Sequence, residues 1–284
     1  MAEHERRVDE LVGGHLRRRQ TGEAHPVEDF LFTYYSHRPS QLRRWHPGFG
    51  RILTGDAPHA SWRGYVRTSD GITVDPGLLT RRAASITWVR DLLAATASRP
   101  AYAGCFGLHE WAMVYRTRPG EVRHESWPLR LGHDGTDAVV ESHKIRCSHF
   151  DAFRFFTEPA RPRNAVTPTR ERQPQLEQPG CLHANMDLYK HSYKLTPLVP
   201  SELVADAFTL AREIRELDMR ASPYDLRDLG YEPIRIETRE GKAAYVDAQL
   251  AFAERAAALR TRLLAEIDSW SEQTWHVSAH HVAH

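Results

Sequence analysis

The alternation of apolar and polar positions separates a mixed first half from a helical last third. In residues 201–220, Leu203, Ala207, Leu210, Ala211, Ile214 and Leu217 recur every three or four positions, which makes one apolar helical face. Residues 242–269 repeat the pattern in an alanine-rich form and predict a long helix. Further helices are expected over 3–20, over 27–36, where Pro26, Glu28 and Asp29 suit a helix start, and over 78–97, ending before Pro100. Strand signals are fewer: two β-rich runs flank Asp70-Gly71, a tight-turn pair, and WPLRLG and DAVVESHKIRC read as extended. Strands are thus expected at 60–75 and 129–147, with a further hairpin around Arg239–Gly241. The expected fold class is α+β, predominantly helical, with the C-terminal third nearly all helical.

Residues 157–180 hold five prolines and little apolar periodicity, the pattern of a long loop or arm. A single globular domain is expected over 1–269, with a possible division into a mixed part, 1–156, and a helical part, 181–269, joined by that arm. The histidine-rich end, 270–284, reads as a disordered tail.

Composition narrows the class. With 41% hydrophobic and 26% charged residues the chain is ordinary for a globular protein, and no run approaches the roughly 20 apolar residues of a membrane-spanning helix. The start, MAEHERRVDE, lacks the apolar core of a signal peptide, and three cysteines cannot all pair, so a cytoplasmic location is expected. The net charge of +1 hides a gradient: residues 1–100 carry 15 Lys/Arg against 11 Asp/Glu, whereas residues 201–284 carry 10 against 15. Phosphate would therefore meet the first third.

The densest chemistry lies in ESHKIRCSHFDAFRFF, residues 141–156. If 141–149 is extended, His143, Cys147 and His149 share a face, and a second Cys-x-His follows at Cys181 and His183. Cys147, His149, Cys181 and His183 could close a tetrahedral zinc site; with iron, His109 or His143 and a carboxylate could form an open facial set. Buried cysteines packing as small apolar groups, with histidines bonded to neighbours, are the plainer alternative. Glu110, Asp151 and Asp187 each lie close to one of these histidines, so His109, Glu110 and Asp151 are candidate catalytic acid–base groups. LDMRASPYDL, a polar break that includes Asp218, could complete a pocket. Cys105 precedes His109 without any cysteine-protease signature. YYSHRPSQLRRWHPGFG interleaves Tyr35 and Trp45 with Arg38, Arg43 and Arg44, a pattern able to stack bases and grip phosphates. Dinucleotide, P-loop, zincin and c-haem motifs are not found in the sequence.

HPVEDFLFTYYSHRPSQLRRWHPGFG, CFGLHEWAMVY, ESHKIRCSHFDAFRFF, QPGCLHANMDLYK and REIRELDMRASPYDL together resemble a mainly actinobacterial family named 3-methyladenine DNA glycosylase, over most of residues 1–268. The resemblance implies hydrolysis of the N-glycosidic bond of an alkylated purine in DNA, with the base flipped and water activated by an acidic residue. On that reading Tyr35, Arg38, Arg43, Arg44 and Trp45 contact DNA and Asp151 or Glu110 is the base. The helix-hairpin-helix pattern of helical glycosylases does not occur, so no residue role is carried over from them. The alternative is a zinc- or iron-dependent enzyme acting on a small polar or nucleotide-like molecule, with ligands from His109, His143, Cys147, His149, Cys181 and His183.

Overall fold

The computed structural model describes residues 1–118 and 127–280, with side chains as far as Trp270. It is α+β and mostly helical. The helices are α1 (Ala2–Thr21), α2 (Phe30–Tyr34), α3 (Pro39–Leu42), α4 (Gly77–Arg81), α5 (Ala83–Ala97), α6 (Leu108–Ala112), α7 (Gly132–Ser142), α8 (Phe150–Phe153), α9 (Gln173–Leu176), α10 (Leu182–Lys194), α11 (Ser201–Arg220) and α12 (Arg239–His280). Among the described residues none is long and apolar enough to cross a membrane. The strands β1 (Ile52–Leu53), β2 (Tyr65–Arg67) and β3 (Ile72–Val74) form one small antiparallel sheet in the order β1-β3-β2. The chain turns between β2 and β3 where expected, but through the four residues 68–71 between the paired Arg67 and Ile72 rather than a two-residue turn on Asp70-Gly71. Gly71 sits at φ +146, where a Cβ would meet the Leu53 carbonyl oxygen at 2.4 Å, so the position requires glycine.

The C-terminal helices follow the expected periodicity. On α11 the apolar stripe is buried, and on α12 the buried positions Tyr245, Gln249, Ala253, Ala256, Arg260, Leu263, Ile267 and Trp270 form one seam. Both helices pack on α10, which lies at the centre of the molecule, while α5 covers α12 and α1 covers α11. Almost every residue of α10 is buried, although its sequence, LHANMDLYKHSYK, is largely polar. A buried polar helix is stable only where its groups find partners. One polar member of the α12 seam supplies such a partner, Arg260 donating to Asn185 Oδ1 at 2.7 Å, while Gln249 donates to the Gly180 carbonyl just before the helix.

Several expectations are corrected. The helix expected over 27–36 shortens to α2, because Tyr35 turns to extended backbone and sends its hydroxyl into the core. The helix over 78–97 breaks at Arg82, whose guanidinium leaves the helix to donate to the Thr196 carbonyl at 2.8 Å. Instead of a strand through 129–147 there is α7, flanked by isolated bridges at Leu129 and Ile145. The β-branched residues misled: Thr136, Val139 and Val140 are buried at helical spacing. Arg239–Gly241 begins α12 rather than a hairpin, with Thr238 Oγ1 accepting the Gly241 N–H at 3.0 Å. The arm 157–180 contains α9 and buries Ala160, Gln173 and Glu177, so it belongs to the packed structure. The expected tail falls at the end of α12 and beyond; side chains from 271 and all of 281–284 lie outside the described residues.

Candidate metal centre

Two sets of nitrogen and oxygen donors meet beside α10. His109, His183 and Asp218 form one, His149, Glu177 and Asp187 the other; all six residues are buried, and within each set the donor atoms lie within 4.8 Å of one another. His183 and Asp187, one turn apart on α10, serve different sets, and the rings of His149 and His183 are 5.3 Å apart.

Local backbone geometry aims these side chains. Phe106 (φ +47) and Gly107 (φ +66) turn the chain left-handed before α6, and His109 and Glu110 in its first turn point inward. His149 is the extended residue that opens α8, Glu177 closes α9, and Asp218 lies in the last turn of α11.

In the first set His109 Nε2 stands 2.8 Å from Asp218 Oδ1, a buried ion pair. Arg215 donates to Glu110 Oε1 at 2.8 Å and to Asp218 Oδ2 at 3.1 Å, and its guanidinium lies 3.8 Å from the Phe30 ring centre. Burial opposes a charge on His109, but Asp218 outweighs it and holds the pKa above the ordinary value. Burial, reinforced by His109, keeps His183 well below its ordinary value and therefore neutral.

The second set is more charged. Asp187 contacts His149 Nε2 at 3.2 Å, accepts from Tyr35 Oη at 2.9 Å and pairs with Lys190. Burial opposes its ionisation, but Lys190 and then His149 hold its pKa well below the carboxylate range. Glu177 lies 3.5 Å from His149 Nε2 and accepts from Gln173 at 2.5 Å; burial raises its pKa. Lys190 also reaches Asp151 at 3.4 Å, which leads outward to a cleft of about 770 Å³ bordered by Trp88, Arg170 and Lys194.

No protein-family model, curated protein or solved structure matches the chain.

The expected residues divide accordingly. His109, His149 and His183 enter the two donor sets, and Glu110 and Asp151 border them. His143 does not enter: its Nδ1 donates back to the Val139 carbonyl at 2.6 Å, because it ends α7 rather than continuing a strand. Cys147 and Cys181 line a cavity of about 20 Å³ together with Cys105, His109 and His183, but no cysteine joins a donor set among the described residues. Burial pushes the Cys147 thiol up to about 12 and Cys181 well above its ordinary value. The paired Cys-x-His geometry fails at Cys181, which is the N-cap of α10, so His183 already lies on a helix.

The nucleic-acid candidates are also corrected in part. Tyr35 is 2% exposed and engaged with Asp187, so it offers no stacking face. Arg43 is paired with Asp9 at 2.8 Å and Glu5 at 3.4 Å, and Trp45 donates to Glu202 at 2.7 Å. Arg38 and Arg44 are exposed. Glu177 and Arg215 are not among the expected site residues, and Asp218 enters only through the polar break; each meets a partner distant in sequence, His149, Glu110 and His109 respectively.

Proposed function

We propose that the protein is a metal-dependent enzyme whose ions are held by His109, His183 and Asp218 and by His149, Glu177 and Asp187. The observation that carries this reading is the convergence of six buried nitrogen and oxygen donors into two sets, within each of which the donor atoms lie within 4.8 Å of one another. A divalent cation would satisfy the donors of each set together. Imidazole and carboxylate donors suit zinc, iron or manganese, and a divalent ion there would supply Lewis acidity and the activation of water near neutral pH. Asp151 borders both the outer cleft and a small inner cavity beside His183 and Glu110, which suits it to carry protons between them. The substrate in this reading is a small polar or nucleotide-like molecule.

Elemental analysis of the purified chain and of His183→Ala and Asp187→Asn tests it. At least one equivalent of a transition metal is expected in the parent, reduced in both variants. Metal unchanged in both would place it elsewhere, the terminal histidines included, and refute the assignment.

A second reading is N-glycosidic hydrolysis with Asp151 as base, favoured by the position of Asp151 on a cleft shared with Trp88, itself 39% exposed. Release of an alkylated purine from methylated DNA, lost in Asp151→Asn, is its test.

A further inference from the structure

A second open cleft, of about 580 Å³, lies between α3, β2, the end of α4 and the C-terminal end of α10. Arg44, Arg63, Arg81 and Arg82 line it with His37 and His46, and no carboxylate does among the described residues. For a chain of net charge +1 this is a local concentration of one sign. Asp75 offsets part of it by accepting from Arg81 at 2.5 Å. Burial, then Arg63 and Arg81, pull the Arg82 pKa down.

The surroundings are arranged around this charge. Arg82 is anchored by the Thr196 carbonyl, and Arg44 lies 5.7 Å from the Trp62 ring centre. Gly64, at φ +93, favours glycine, and a Cβ there would fit tightly against Pro197 at 3.2 Å and Leu78 at 3.3 Å. Beyond the cleft, Arg43 is paired with Asp9, Arg51 with Glu266 and Arg90 with Asp268.

We propose that this cleft binds a small phosphorylated molecule, a phosphomonoester or diphosphate, with its anion shared among Arg44, Arg63, Arg81 and Arg82. Guanidinium forks match phosphate oxygens in geometry, and crowded like charges are relieved by a multiply charged anion. The volume is in the range of small-molecule sites.

Calorimetric titration of the full chain at low salt, with AMP, pyrophosphate, adenosine and a short single-stranded oligonucleotide, tests the proposal. Saturable binding of AMP or pyrophosphate is expected, with none of adenosine. The exposed pair Arg44→Ala/Arg63→Ala should weaken it roughly tenfold or more, since charge-assisted hydrogen bonds are lost. Arg170→Ala, in the other cleft, should leave it unchanged, and circular dichroism confirms that each variant is folded. Failure of both phosphate probes to saturate at millimolar concentration overturns the proposal. So does binding indifferent to the Arg44/Arg63 pair, as a metal-held phosphate would show, equal binding of adenosine, or binding of the oligonucleotide alone.

Discussion

His109 Nε2 and Asp218 Oδ1 face each other at 2.8 Å in the protein interior as a buried ion pair. Around them Arg215 holds Glu110 and the other oxygen of Asp218, so the cluster couples α6 to α11 through charge.

That coupling makes Arg215 and Arg260 unequal, although both are buried guanidiniums. Arg215→Met removes the guanidinium shared by Glu110 and Asp218 and is expected to cost roughly 3–5 kcal/mol. Arg260→Met removes a hydrogen bond to a neutral amide, Asn185, and is expected to cost less, roughly 1.5–3 kcal/mol. Urea unfolding compares them, and equal losses would contradict the charge argument.

Asp187→Asn removes the carboxylate that pairs with Lys190 and accepts from Tyr35. A loss of roughly 3 kcal/mol or more is expected, because Lys190 stays partly buried with a poorer partner. Adding Lys190→Met should recover part of the loss in a double-mutant cycle. No recovery would show that the pair is uncoupled.

Stability should fall on the acid side through particular histidines. Burial lowers His37 to about 4, and burial with His59 lowers His46 to about 4, from an ordinary 6.5. The folded state therefore favours neutral imidazole: this contribution is complete above pH 6.5 and is lost as the pH falls towards 4. Thermal midpoints between pH 7 and 4 should drop, and His37→Gln/His46→Gln should flatten that limb. An unchanged slope would assign it to other groups.

Burial raises the pKa of Cys105, Cys147 and Cys181, so few thiolates exist at pH 8. A thiol reagent should label the native chain slowly and all three sites rapidly in denaturant. Rapid native labelling would show that the cavity they line is open.

The sequence by itself determined the elements whose signal is local. The stripe on α11, the long helix of α12 and the place of the turn around Asp70-Gly71 were legible because periodicity and turn chemistry act over a few residues. Part of the centre was legible too: the histidines at 109, 149 and 183 stood close to carboxylates in the chain. Only tertiary structure decided which carboxylates matter. His109 meets Asp218 and His149 meets Glu177 and Asp187 because α6, α8, α9 and α11 gather around α10. The sequence of α10 is largely polar and shows no obvious buried face, and its burial became possible only where Arg260, Tyr35, His37 and Lys190 met its polar groups. Those partners come from distant segments or from the helix itself, so the cost of burying the helix is offset by contacts that no local pattern encodes.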